Sequence, residues 1–171
     1  MQIDLEYTQK HLEWVKRAFY LSTQVPNAQK RGAKRGYVYE CDLGVGVGSE
    51  MQKKRPCIVI SNDNANLSSP NVIVIPITHD TAALRCMVPI QTYKDGNGNI
   101  ILDGSANTSC ITTVSKARLG NLIVKLSNID LEAVEDSLDI SLGTIRRTNK
   151  LKAEIDRLKK YIGTLLNKKD K

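Results

Sequence analysis

A glycine-rich segment at residues 44–48, Gly-Val-Gly-Val-Gly, is the first candidate for a chemical function, because glycine loops can bind phosphate groups. Such a loop needs either a helix N-terminus directly after it or the ending Gly-Lys-Ser/Thr. Here the chain continues with Ser49 and Glu50, a basic stretch and then a predicted strand. The sequence therefore excludes a dinucleotide fingerprint and a P-loop, and it predicts a mobile loop between two strands.

The cysteines and histidines are the second candidate set, since both residue types bind zinc. The chain has two histidines and four cysteines: Cys41, Cys57, Cys86 and Cys110. The cysteines form no Cys-x-x-Cys pair, so the sequence offers no closely spaced metal ligands. Three of them have apolar neighbours, which predicts buried, reduced thiols that act as small hydrophobic side chains. We expect no metal ion and no cofactor.

The net charge of +7 is concentrated at the two ends of the chain. Residues 1–35 contain seven basic and three acidic residues, and residues 144–171 contain ten basic and three acidic residues. The middle, residues 36–143, is mildly acidic, with eight basic and twelve acidic residues. Basic ends contact phosphates in some proteins and are solvated helix faces in others, so charge alone does not identify a nucleic-acid-binding protein.

The composition is typical of one globular domain with additions, with 41% hydrophobic and 25% charged residues in a chain of 171. Six tyrosines, one tryptophan and one phenylalanine are too few for an aromatic platform that stacks single-stranded bases. The chain has no run of about 18 apolar residues, and its first ten residues lack the apolar core of a secretory signal. We therefore expect a cytoplasmic protein with no membrane partner.

The changes in charge and in hydrophobic period divide the chain into residues 1–35, 36–143 and 144–171. Residues 2–21 predict an amphipathic helix that ends at Val25-Pro26-Asn27, and residues 29–36 predict a flexible basic linker. The apolar face of this helix comprises Leu5, Leu12, Val15, Ala18 and Phe19.

Short strands joined by tight turns are predicted for the middle segment. The predicted strands are residues 37–43, 56–61, 71–78, 86–90 and 109–114, with a turn at 62–66 and a hairpin tip at 94–99. This spacing indicates a small barrel or a strongly bent antiparallel sheet.

Two helices are predicted to follow the strands. The first begins with an N-cap at residues 127–130 and ends at Gly143. The second is the basic segment 144–171, in which Leu151, Ile155, Leu158, Ile162 and Leu165 have the 4-3-4-3 spacing of an a/d seam. Because two heptads are short for a free-standing coiled coil, we expect this seam to pack against the N-terminal helix or a second subunit.

An ordered series of short motifs runs through residues 35–143, and the series is more specific than any of its parts. In chain order the motifs are Arg35-Gly36-Tyr37-Val38-Tyr39, Asp42-Leu43, Gly48-Ser49-Glu50, Arg55-Pro56, residues 58–63, residues 69–78, Lys116-Ala117-Arg118-Leu119 and Ile140-Ser141-Leu142-Gly143. This series resembles the MazF/PemK (Kid) family of toxins from type II toxin–antitoxin systems, which share a fold with CcdB.

The resemblance implies an α+β, mainly β fold. It would be an SH3-like, CcdB-like small β-barrel with a following helix, extended here by N- and C-terminal helices. The resemblance also implies a homodimeric toxin that acts as a metal-independent, sequence-specific endoribonuclease on single-stranded RNA. A cognate antitoxin is the implied protein partner; it occupies the RNA-binding groove and binds DNA together with the toxin.

The resemblance maps the family's key arginine onto Arg55, its key threonine onto Thr78 and the serine of its substrate loop onto Ser49. Metal-free RNA cleavage uses the 2′-hydroxyl as nucleophile and leaves a 2′,3′-cyclic phosphate, so negative charge on the phosphorane needs stabilisation. An arginine fork and hydroxyl donors supply it. We expect catalytic roles for Arg55 and Thr78, and RNA contacts from Ser49, Glu50, Lys53, Lys54 and His79.

Several alternatives stay open beside this interpretation. Cys110 and Thr112 stand where many relatives have glutamine and arginine, which alters the expected RNA preference and affinity. His79 is of a type that suits proton transfer, or it is a solvated residue at a strand end. Two other functions are open for the same barrel: a non-catalytic module that binds RNA or protein, and a CcdB-like topoisomerase inhibitor. For the two helical ends, the open interpretations are a stabilising layer, an extension of the dimer, or a device that guides RNA to the barrel.

Overall fold

The computed structural model describes residues 4–79 and 84–169. The helices are α1 (Leu5–Ala28), α2 (Asp63–Ser68), α3 (Asn128–Ser141) and α4 (Ile145–Lys169). The strands are β1 (Tyr37–Asp42), β2 (Lys54–Val59), β3 (Asn71–Thr78), β4 (Met87–Pro89), β5 (Tyr93–Lys94), β6 (Ile100–Leu102), β7 (Ser105–Asn107), β8 (Thr112–Ser115) and β9 (Leu119–Lys125). Two 3₁₀ turns lie at Thr108–Cys110 and Lys116–Arg118.

Strand β3 is the centre of the antiparallel sheet, whose hydrogen-bonded order is β4-β7-β3-β2-β1-β9. One edge of β3 pairs with β2, and the other edge is shared between β8 on its first half and β7 on its last two residues. Strands that exchange partners in this way bend a sheet around its core. The predicted α+β class with helical extensions is confirmed, and in the described part of the chain the bent sheet is open between β4 and β9.

The sheet is buried on both faces, because successive side chains of its central strands enter two different hydrophobic clusters. In β2, Ile58 packs in one cluster with Val38 and Ile75, while Cys57 and Val59 pack in the other. Such strands have continuous apolar sequences rather than alternating ones. Helix α3 closes the first cluster, and the segment after α1 contributes Ala33 to the second.

Helix α3 contributes Val134, which has no exposed surface, to the first cluster. Replacing Val134 with alanine is expected to lower the free energy of unfolding by about 2 kcal/mol, because two buried methyl groups leave a cavity. Urea denaturation followed by circular dichroism measures this loss. Ile129→Ala on the same helix is the matched control, since Ile129 is 70% exposed and its truncation is expected to cost less than about 0.5 kcal/mol. Equal losses for the two variants would contradict this packing.

Helix α1 differs from its prediction in both length and orientation. Asp4 caps it, while residues 2 and 3 of the predicted helix lie outside the described residues. The helix continues through Pro26 to Ala28, so the predicted end was wrong: packing of Leu21 and Ala28 on the sheet domain offsets the hydrogen bond that proline cannot donate. The predicted apolar face is also mostly exposed, including Leu5, Leu12, Val15 and Phe19.

The segment predicted as a flexible linker is instead fastened to the sheet domain. The Arg31 guanidinium donates hydrogen bonds to the carbonyls of Leu119 and Gly120. Arg35 forms an ion pair with Glu135 on α3, with 2.8 Å between Nη2 and Oε1. The basic residues of this segment thus anchor the end of α1 to the start of strand β9 and to α3.

The remaining differences concern short elements. The predicted strand 109–114 is a 3₁₀ turn followed by β8, and the predicted turn at 62–66 lies within α2 and its N-cap. Strands β7 and β9 were missed. The hairpin tip at 94–99 is confirmed between β5 and β6, as are α3 with its Ser127 cap and the helix 145–169. None of the helices in the described ranges is long and apolar enough to cross a membrane.

Candidate functional site

Arg55 and Thr78 face each other across the pairing of β2 with β3. Cys57 pairs with Pro76, and the same antiparallel register continued by two residues places Arg55 opposite Thr78. The Arg55 Nη1 group donates a hydrogen bond to the Thr78 hydroxyl at 3.4 Å, and Arg55 Nε donates to the Gln52 carbonyl at 3.0 Å. The structure therefore brings together the two residues predicted to be catalytic.

The guanidinium of Arg55 is oriented but retains donors for a ligand. Its hydrogen bonds to Gln52 and Thr78 engage two of five N–H groups, counted over the described residues. Arg55 is half-buried and Thr78 is buried at the end of β3. A planar guanidinium beside a buried hydroxyl group can donate hydrogen bonds to the non-bridging oxygens of a phosphate.

Gly104 holds the backbone of Thr78 from the opposite edge of β3. Ser105 on β7 pairs with Thr78, and Gly104, directly before it, has φ +101°. A Cβ atom on Gly104 would lie only 2.6 Å from the Thr78 carbonyl oxygen. Only glycine permits this close approach, so residue 104 helps to fix the position of Thr78.

His79 is oriented by a residue that the sequence analysis missed. Its Nε2 atom lies 2.5 Å from Oδ1 of Asp103, and 80% of the imidazole side chain is exposed. Asp103 and Gly104 form the turn that connects β6 to β7, so one turn contacts both Thr78 and His79. An Asp-Gly pair between two strands is a turn signal that could have identified this turn, although not its contact with His79.

The glycine loop connects β1 to β2, and backbone hydrogen bonds join its two ends. The Lys53 N–H donates to the Gly44 carbonyl at 2.8 Å, and the Leu43 N–H donates to the Lys53 carbonyl at 3.0 Å. Ser49 is exposed near the tip. The Glu50 carboxylate accepts the Val47 N–H at 2.9 Å, so it shapes the tip of the loop instead of pointing freely to solvent.

Helix α1 packs against the base of this loop. The Trp14 indole lies against Gly44, where a Cβ atom would come within 2.5 Å of the ring, and the Arg118 guanidinium lies 4.9 Å from the indole centroid. Arg17 forms an ion pair with Asp42, with 3.1 Å between Nε and Oδ2. The conformation of the glycine loop is therefore coupled to the position of α1.

The predicted RNA-contacting residues do not form one cluster. Lys53 and Lys54 line a cavity of about 730 Å³ between α1 and the glycine loop, which Tyr7 and Trp14 also line. Arg55 follows Lys54 in β2 and points to the other side, towards Thr78. The two lysines thus lie next to α1, whereas Arg55, Thr78 and His79 gather at the end of β3.

A second groove, of about 660 Å³, separates the glycine loop from the segment 109–115. Glu50 and Met51 line it on the loop side, and Cys110 and Thr112 line it on the other side. The two positions that the resemblance predicts to depart from the family pattern therefore share one groove next to the loop that carries Ser49.

The buried thiols are not nucleophiles. Cys57 is buried in the core, as predicted, and Cys41 is buried as well, whereas Cys86 and Cys110, whose apolar neighbours also predicted burial, are only half-buried. A hydrogen bond with the Cys41 thiol, together with burial, raises the pKa of Cys57 far above its usual range. Cys57 therefore stays protonated and packs in the core, and it is unreactive because the thiolate is the reactive form.

Comparison with known proteins matches the part of the chain that carries this site. A family model described as "PemK-like, MazF-like toxin of type II toxin-antitoxin system" matches residues 34–142. The chain is 38% identical over 114 residues to "Endoribonuclease MazF" of Staphylococcus epidermidis, which covers 64% of this chain and 91% of that protein. It is also 38% identical over 116 residues to "Endoribonuclease EndoA" of Bacillus subtilis (strain 168), covering 66% and 96%.

Solved structures show the same fold. The crystal structure of MazF (Form-I) from Deinococcus radiodurans has a TM-score of 0.58 at 16% identity, covering 66% of this chain and 98% of that chain. An endoribonuclease in complex with its cognate antitoxin, from Mycobacterial species, has a TM-score of 0.54 at 24% identity, covering 65% and 95%. Helices α1 and α4 lie outside the family match.

Proposed function

The chain belongs to the family of PemK-like, MazF-like toxins of type II toxin–antitoxin systems, and from this premise we propose that it is an endoribonuclease that cuts single-stranded RNA at specific sequences. The observation that carries the proposal is the hydrogen-bonded Arg55–Thr78 pair at the end of β3. Relatives named endoribonucleases match this chain over 91% and 96% of their own lengths, which supports the activity.

In the proposed reaction the ribose 2′-hydroxyl attacks the adjacent phosphorus and the bond from phosphorus to the 5′-oxygen breaks. The products end in a 2′,3′-cyclic phosphate and a 5′-hydroxyl, and the reaction needs no metal ion. Negative charge increases on the non-bridging oxygens of the phosphorane. The Arg55 guanidinium donates to these oxygens, since Gln52 and Thr78 already hold it in place.

The other predicted residues have secondary roles in this proposal. Ser49 contacts the RNA from the exposed loop tip, and Glu50 keeps that tip in shape through the Val47 N–H. His79, oriented by Asp103, presents its imidazole next to Thr78 for contact with the RNA. Lys53 and Lys54 attract the phosphate backbone on the side of α1.

The proposed partners follow from the same family. We propose that a cognate antitoxin neutralises the toxin by occupying its RNA-binding groove, and that the sheet domain forms a homodimer. One of the solved relatives of the same fold is an endoribonuclease in complex with its cognate antitoxin, which supports the first of these partners. Cytoplasmic RNA is the proposed substrate.

A second candidate function rests on the groove beside the glycine loop. Cys110 and Thr112 line it where many relatives have glutamine and arginine, so this groove offers fewer charged donors to RNA. A module that binds RNA or protein without cutting it is the function that this difference favours.

Incubation of a long single-stranded RNA with the purified protein in EDTA separates the two functions. Discrete fragments ending in 2′,3′-cyclic phosphate are expected from the wild type, and Thr78→Val is expected to slow their formation about tenfold, because it removes one hydrogen bond from the site. Thr92→Val, which changes an exposed threonine, is the matched control and keeps the wild-type rate. Intact RNA with a folded wild-type protein would support the binding module instead.

A further inference from the structure

The last helix carries an apolar stripe that nothing in the described part of the chain covers. The stripe comprises Leu151, Ile155, Leu158, Ile162 and Leu165, each of them 47–58% exposed. Helix α4 makes its main contact with α3 near its own start. A helix with an unpacked apolar stripe over several turns gains stability when a second helix covers that stripe.

The residue types along the stripe specify the kind of partner. In a heptad register with Leu151 at d, Ile155 and Ile162 occupy a positions and the three leucines occupy d positions. β-Branched residues at a together with leucine at d favour a parallel, two-stranded coiled coil. A second copy of the same helix supplies this pattern on both sides.

The flanking residues also favour the parallel orientation. Glu154 at g lies opposite Lys159 at e of a parallel partner, which gives an attractive pair on each side of the seam. An antiparallel pair would instead bring the e positions together, and these are Lys152 and Lys159. Most of the remaining basic residues fall on outer positions: Arg146, Lys150, Arg157 and Lys160.

The first turn of α4 fixes the direction in which the helix leaves the sheet domain. The hydroxyls of Thr144 and Thr148 donate to the Asp139 carboxylate on α3, at 2.6 and 2.8 Å. These bonds lower the pKa of Asp139, so the carboxylate is charged at neutral pH. Two copies with α4 fixed in this way can present parallel helices about a two-fold axis.

We propose that α4 pairs with α4 of a second copy of this chain as a parallel, two-stranded coiled coil. The pairing lies outside the family match at residues 34–142 and is independent of RNA cleavage. Arg147 at g also faces Lys152 at e of the partner, and residues 145–169 carry nine basic and only two acidic residues, so two copies of α4 repel each other overall. Salt therefore strengthens the coiled coil, whereas it would weaken docking of RNA on the same basic helix.

Disulfide trapping in the full chain tests the pairing and its orientation. Cys86→Ser and Cys110→Ser remove the two thiols that are not buried, and Leu151→Cys or Leu165→Cys is then added singly to this variant. Each protein is treated with nuclease so that no bound RNA remains. In a parallel pair each d position faces its own copy, so mild oxidation is expected to give about tenfold more disulfide-linked dimer than Lys160→Cys, an outer position.

The outcomes distinguish the arrangements. Dimers from Leu151→Cys and from Leu165→Cys separately, increased by salt, support the parallel coiled coil. Dimers that form only when the two variants are mixed indicate an antiparallel pair and contradict the proposal. Equal trapping at residue 160, no trapping at any position, or trapping that requires added RNA contradicts it as well.

Discussion

Purified Arg55→Ala protein is expected to cleave single-stranded RNA about 10²–10³ times more slowly than the wild type, because the substitution removes preorganised donors from the charge that develops on the phosphorane. The guanidinium is held by the Gln52 carbonyl and the Thr78 hydroxyl before any substrate binds. Its loss therefore affects the transition state more than the ground state. Single-turnover cleavage of a defined RNA in EDTA measures the rate of the chemical step separately from binding.

Two further variants make this result specific to the fork of Arg55. Arg55→Lys keeps the positive charge but has no planar pair of donors, so most of the loss is expected to remain. Arg157→Ala removes a guanidinium from a side chain that is 82% exposed on α4, and it is expected to leave the rate unchanged. A wild-type rate for Arg55→Ala, in protein with an unaltered circular dichroism spectrum, would remove Arg55 from the mechanism.

Gly104→Ala is expected to reduce both stability and cleavage, although residue 104 carries no functional group. At φ +101° an alanine costs about 1–3 kcal/mol in backbone strain. Its Cβ atom would also meet the Thr78 carbonyl at 2.6 Å and push the end of β3 away from Arg55. Urea denaturation measures the first effect, and RNA cleavage under conditions where the variant is fully folded measures the second.

Gly96→Ala is the matched control for this variant. Gly96 lies in the tip between β5 and β6, has nothing within 4 Å of the position of an added Cβ atom, and does not have a positive φ. Its stability is expected to change by less than about 0.5 kcal/mol. If Gly104→Ala behaved like Gly96→Ala, the contact between Gly104 and Thr78 would not constrain the site.

Local signals in the sequence predicted the parts of the fold that depend on local physics. The Ser127 cap and Gly143 bound α3 because capping is decided within one turn of a helix. Likewise, residues 94–99 form a tip because their asparagines and glycines adopt turn conformations. The ordered family motifs predicted Arg55 and Thr78 individually as catalytic residues, and the register of β2 with β3 accounts for their contact.

Long-range contacts account for what the sequence could not predict. Helix α1 has two stripes of apolar residues, and the stripe through Trp14 and Leu21 packs on the sheet domain because the glycine loop and Arg118 accept the indole there. Asp103 acquires a role only when the turn before β7 approaches His79. Lys54 diverges from Arg55 because neighbouring β-strand side chains point to opposite faces, whereas Lys53 lies before β2 with a φ of +69° and is not in strand conformation.

The contact between Trp14 and Gly44 gives the protein a built-in optical reporter. Trp14 is the only tryptophan in the chain, and its indole lies between the base of the glycine loop and the Arg118 guanidinium. Tryptophan emission shifts in wavelength when water gains access to the ring. A ligand that displaces the glycine loop therefore changes the intrinsic fluorescence of the unlabelled protein, so loop movement can be timed by stopped flow without adding a dye.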